Sequence, residues 1–124
     1  MEENNKSIAV SFLKLASGGN VQEAFSNFVS SDFKHHNPFF EGTADALQAG
    51  MEENAKQNPN KILEVKRVIA EGDFVVTHSH VRPSPDALGA AVVHIFRFEN
   101  GKIVELWDLG QPVPEKSLNE NGMF

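Results

Sequence analysis

Apolar residues recur at helical intervals through the first half of the chain and alternate with polar ones through the second. Ile8, Phe12, Leu15 and Ala16 line one face of a first helix, which Gly18-Gly19 ends. Asn20 followed by Glu23 forms a capping arrangement for a second helix carrying Ala24, Phe25 and Phe28. Thr43 caps a third, with Asp45 in its first turn, Leu47, Met51 and Ala55 on one face, and Asn58-Pro59-Asn60 as its stop. Between the second and third helices, residues 32–38 are too few for a helix and predict a brief strand ending in a turn. After Pro59 the alternation predicts strands near 61–71, 73–82, 89–99 and 102–111, with Gly-, Pro- and Asn-containing connections between them. Residues 112–124, with Pro112, Pro114, Asn119 and Gly122, read as a tail.

Helices followed by a meander of strands define an α+β layout, in which a curved antiparallel sheet wraps around the N-terminal helices. A sheet curled in this way leaves an internal pocket at its open end. The last hairpin decides which side chains enter it. A two-residue Asn100-Gly101 loop would pair Glu99 with Lys102, whereas a three-residue loop with a bulged, left-handed Gly101 would pair Phe98 with Lys102. The second choice is expected, because it separates Arg97 and Glu105 from two apolar rows. Val92, His94, Phe96 and Phe98 then share the inner face with Val104, Leu106, Asp108 and Gly110, and Asp108 lies opposite Val92 and diagonal to His94. The outer face would carry Val93, Ile95, Arg97, Ile103, Glu105, Trp107 and Leu109. Exposure of Val93, Ile95, Trp107 and Leu109 together predicts a homodimer through that face, with a folded-over tail as the alternative cover.

Composition narrows the chemistry. A chain of 124 residues makes one domain, and the absence of cysteine removes disulfides, thiolate metal sites and Cys nucleophiles. A net charge of −6 with no Lys/Arg run argues against nucleic-acid binding. The polar, acidic start Met1-Glu2-Glu3-Asn4-Asn5-Lys6 has no apolar stretch for a signal peptide or a membrane span, and a cytoplasmic location is expected. Ten Phe and no Tyr give aromatic area without hydroxyls, suited to a dry core or pocket.

Asp108 is the one carboxylate inside an apolar strand away from its ends, and an imidazole beside it makes either a general acid–base pair or a structural hydrogen bond. His78 and His80 alternate on one strand with Phe74 and Val76. They are expected to line the pocket or its rim; the alternative is a metal half-site completed by His94 or Asp108. Pro38 fixes an extended backbone that aims His36 or Asn37 at the pocket, where the Asn amide could hold a carbonyl or enolate oxygen, while His35 faces solvent by opposite parity. Phe39 and Phe40 wall the pocket or pin the third helix, at least one of them as core. No nucleophile-elbow, phosphate-loop or dinucleotide fingerprint is present.

His36-Asn37-Pro38, the run from Glu71 to Ser79, and above all the run Val93-His94-Ile95-Phe96-Arg97-Phe98-Glu99-Asn100-Gly101-Lys102-Ile103-Val104-Glu105-Leu106-Trp107-Asp108 resemble the SnoaL-like polyketide cyclase family of the nuclear transport factor two-like superfamily. The resemblance implies a cone-shaped α+β barrel over residues 1–111 with a 112–124 tail, commonly dimeric. It implies cofactor-independent acid/base chemistry on a small apolar carbonyl compound, without metal: aldol cyclisation, isomerisation or dehydration. Its aspartate falls on Asp108 and its assisting histidine on His94, with His36, Asn37, His78, His80 and Phe96 expected around the substrate. Many relatives carry aspartate where His94 stands, and the same fold also hosts non-catalytic ligand binders.

Overall fold

In the computed structural model, which describes all 124 residues, each apolar periodicity becomes one element. Helix α1 spans Glu2–Ser17, α2 Val21–Phe28 and α3 Ala44–Gln57; the strands are β1 Val29–His35, β2 Ile62–Glu71, β3 Phe74–Arg82, β4 Ala90–Glu99 and β5 Lys102–Pro112. Glu2 and Glu3 in the first turn of α1 and Lys14 in its last complement the helix dipole. Thr43 caps α3, its Oγ1 accepting from the Ala46 N–H at 3.2 Å. Asn20 holds the N-cap position of α2 but makes no side-chain capping bond. Burial of Val21, Ala24 and Phe25 holds that helix instead.

The five strands form one curved sheet in the order β1-β5-β4-β3-β2. Three neighbouring pairs are antiparallel, but β1 runs parallel to β5, so the sheet is mixed. The connection between those two strands contains α3 and the whole β2–β4 meander, so no hairpin constrains their direction. β1 and β2 are edges that do not pair, which leaves the barrel unclosed, with the helices filling its hollow. Ala9, Phe12 and Leu13 of α1 meet Val21 and Phe25 of α2, Leu47 of α3, and Val75, Phe96, Phe98, Ile103 and Leu106 of the sheet in one core. The Phe12 ring packs edge-to-face on Phe25 at 5.4 Å and on Phe96 at 6.0 Å.

The β4–β5 hairpin turns differently from the expected three-residue loop. Glu99 pairs with Lys102 around a two-residue Asn100-Gly101 turn in which both residues have positive φ, 51° and 76°. That turn matches the right-handed twist of the strands it joins. A bulge follows at once: Phe98 pairs with Ile103 and Arg97 with Glu105, so Val104 is the extra residue. The bulge re-phases the strand, and His94 stands directly opposite Asp108 rather than diagonal to it. Both Ile103 and Val104 are buried, which moves Ile103 from the expected outer face into the core.

On the outer face Val93, Ile95 and Trp107 are half-buried and Leu109 is exposed. His36 stacks flat on Trp107, ring centroids 4.8 Å apart. The tail folds over the β2–β3 side of this face, its Phe124 ring lying 4.5 Å from that of His80 and 5.6 Å from that of His78. No helix is long and apolar enough to cross a membrane.

Candidate active site

The end of the sheet where β1, β3 and β5 finish and β2 and β4 begin opens into a cavity of about 260 Å³. Leu13 and Ala16 of α1, Leu47 and Met51 of α3, and Leu63, Val81 and Val92 of the sheet give it an apolar wall. Asn37, His94, Asp108, Asn54 and Lys61 supply polar groups. The Phe40 ring closes one side, packed where a β-carbon on Gly50 would lie only 2.4 Å from it.

Asp108 and His94 share the concave face because the bulge at Val104 puts them in register. His94 is buried and its Nδ1 has no protein hydrogen-bond partner. Burial pushes its imidazole down to about 4, against an opposing pull from the Asp108 carboxylate, so the ring is neutral at physiological pH. Half-buried Asp108 accepts a hydrogen bond from Asn37 Nδ2 at 3.1 Å.

The orientation of Asn37 is built by its own turn. The parallel pairing of β1 on β5 sets His35 beside Leu106, and the His36 N–H donates to the Leu106 carbonyl at 3.1 Å. His35 Nδ1 accepts from the Asn37 N–H at 3.1 Å, while its Nε2 donates to the Glu41 carbonyl at 2.6 Å. Asn37 Oδ1 accepts from the Phe39 N–H at 2.9 Å, which leaves the amide nitrogen facing the carboxylate.

Four expected pocket residues lie elsewhere. His36 is exposed on the outer face, with Nε2 2.6 Å from Glu105 Oε2, and it is His35 that is buried. Buried Phe33 sets the parity: positions 33, 35 and 37 face inward, so the alternation already carried the answer. His78 and His80 also face outward, because Thr77 and Ser79 take the buried positions of β3. Arg67 Nη1 meets His78 Nδ1, and His80 Nε2 donates to the Leu88 carbonyl at 2.7 Å. That separates them from His94 and Asp108, and no three His, Asp or Glu side chains are grouped to hold a metal ion. Phe96 is fully buried in the core under His94, with ring centroids 5.9 Å apart, and does not border the cavity. Of the two Phe after Pro38, Phe39 is exposed and Phe40 lines the cavity; neither is core.

Lys61 and Asn54 carry no signal in the sequence, since a residue just before a strand and the polar flank of a helix give no periodicity.

The SnoaL-like domain model matches residues 9–106. Among solved structures, the chain is similar to AclR from Streptomyces galilaeus, provisionally named a hydroxylase, at 23% identity with TM-score 0.76, covering 90% of this chain and 91% of that one. It is similar to a nuclear transport factor two-like protein of unknown function from Burkholderia xenovorans LB400 (20% identity, TM-score 0.73, 94% and 89% covered). A third likeness is to a protein from Jannaschia sp. CCS1 provisionally named a SnoaL-like polyketide cyclase (15% identity, TM-score 0.73, 88% and 86% covered). At these identities the likeness extends to the fold. No curated protein matches the sequence.

Proposed function

The chain belongs to the SnoaL-like domain family, and from that premise we propose that it is a small-molecule enzyme performing cofactor-independent proton transfer next to a carbonyl. One observation carries this reading: a carboxylate oriented by an amide and faced by a neutral imidazole, at the polar end of an apolar cavity. Asp108 removes a proton from the carbon beside the carbonyl. A neutral imidazole with so low a pKa is a weak base, so His94 serves as hydrogen-bond donor to the developing enolate oxygen, and later as the path by which a proton returns. Aldol cyclisation, isomerisation and dehydration all begin with that step. The cavity, about 260 Å³, falls below the roughly 300–1,000 Å³ of drug-sized ligand sites, which favours a small substrate over a multi-ring one.

The test is turnover of a panel of small ketones and enones by wild type, Asp108→Asn and His94→Ala, with a pH–rate profile. General acid–base work predicts a loss of roughly 10²–10⁴-fold for Asp108→Asn. Unchanged turnover in both variants ends the assignment. Tight ligand binding with no turnover in the wild type makes the protein a carrier instead.

We also propose that a second copy covers the part of the outer face that the tail leaves open, where Ile69, Phe74 and Leu109 are exposed beside Val93, Ile95 and Trp107. Sedimentation equilibrium should give a dimer that Leu109→Glu weakens; a monomer at all concentrations overturns it.

A further inference from the structure

Lys61 lies one residue ahead of β2, half-buried in the cavity wall beside Leu63. Its Nζ donates to Asn54 Oδ1 in the last turn of α3, and no carboxylate pairs with it. Lys6, Lys34, Lys66, Arg82 and Arg97 each stand within 4.0 Å of a carboxylate. Lys14, Lys56, Arg67, Lys102 and Lys116 also lack a carboxylate partner, but all five are exposed to water, whereas Lys61 is half-buried in the cavity wall. Desolvation lowers its pKa, the mark of a charge removed from water without an anion in return.

Lys61 is also remote from the proton-transfer pair. β2 and β5 are three strand-spacings apart, on the order of 14 Å along the curved sheet. The cavity therefore has two unlike poles: Asp108, Asn37 and His94 at one, Lys61 and Asn54 at the other, with apolar side chains between. An anionic group on a ligand is repelled by Asp108 and by the net charge of −6, and Lys61 is the one cation that borders the cavity.

We propose that the occupant is a carbonyl compound that also carries a carboxylate, an oxo acid whose carboxylate pairs with Lys61 while its carbonyl end lies at Asp108. This deepens the proposed function, resting on it for the placement of the carbonyl. Pairing with the incoming carboxylate restores the solvation that Lys61 loses in the wall, and it fixes which end of the molecule faces the base. Asn54 holds the ammonium in place before the ligand arrives.

Calorimetric titration with 4-oxo-4-phenylbutanoate and with its primary amide tests the inference, since the two differ only in charge at one end. Wild type should bind the acid at least tenfold more tightly than the amide. Lys61→Met should bind both with the affinity of the amide, which also reports that the variant is folded, and Lys61→Arg should keep most of the preference. Asp108→Asn should retain the preference even where turnover is lost, so failure of the carboxylate site and failure of the proton-transfer site are separate results. Equal affinity for the two probes in wild type, an acid preference that survives in Lys61→Met, or no measurable binding of the acid overturns the proposal. So does borohydride trapping of the ketone on Lys61, which would assign that amine a covalent role.

Discussion

Asn37 Nδ2 reaches Asp108 Oδ2 across 3.1 Å and so ties the turn after β1 to the end of β5, 71 residues away in sequence. Removing it leaves the carboxylate in the cavity without its orienting donor. A hydrogen bond to a charged group is worth about 1.5–3 kcal/mol, equivalent to roughly a ten- to hundredfold change in rate. Asn37→Ala should lower kcat by that factor with little change in KM, because Asn37 positions the base. A KM increase at constant kcat would show that the amide contacts substrate instead.

Protonation of His94 should make the fold acid-sensitive in a defined window. The unfolded histidine takes up a proton near 6.5, the folded one only near 4. Between those values the unfolded chain binds more protons, so stability falls as pH falls from about 6.5 toward 4 and is unaffected by this group above that range. The loss from this group between pH 7 and pH 5 is about 2 kcal/mol. Urea unfolding at the two pH values measures it. His94→Leu should flatten the difference between them, and an unchanged difference would show that other groups dominate the acid response.

The fold was largely legible because apolar spacing is set by the core itself. The limits of β2 to β5 fall within a residue of the alternation and Thr43 caps the helix it precedes, whereas β1 starts three residues ahead of the expected 32–38 segment. The family model and the solved relatives bear out the resemblance carried by the Val93–Asp108 run. Two kinds of information were not legible. A bulge has no sequence mark of its own, so the meeting of His94 and Asp108 came by a turn and a register other than those expected. Parallel pairing of β1 depends on the far end of the chain; the outward aim of His36, by contrast, follows from the alternation with buried Phe33 and His35. Of the histidines that looked like chemistry, His80 holds the Leu88 loop, His78 meets Arg67, and both receive Phe124.

The Asn100-Gly101 turn and the Val104 bulge act together. Gly101 sits at φ 76° with nothing near the site of a β-carbon, so any effect of a substitution there is conformational and not a clash. Gly101→Val should cost roughly 1–2 kcal/mol, the penalty for a branched residue in the left-handed region. A larger effect is expected on function, because a turn that relaxes to three residues shifts β5 against β4 and separates His94 from Asp108. Thermal unfolding and turnover measured on the same variant test this, and a loss of activity no larger than the loss of folded protein would refute it.

Gly50 separates stability from ligand binding more sharply. It lies inside α3, where alanine is preferred over glycine by about 1 kcal/mol of helix propensity. An added β-carbon would lie 2.4 Å from Phe40 Cε1, too close to tolerate, so the ring must move. Phe40 is 41% exposed, which lets it swing outward with little loss of buried area. The helix gain and the ring displacement oppose each other, and Gly50→Ala should leave the melting temperature within a few degrees of wild type or slightly above it. The cavity does not escape so lightly, since the Phe40 ring is part of its wall. Ligand affinity should fall several-fold in Gly50→Ala, and Phe40→Ala in the same background should show no further effect of the alanine at position 50, because the group it displaces is gone. Additive losses in that double-mutant cycle would mean that Gly50 acts on the cavity by some route other than the Phe40 ring.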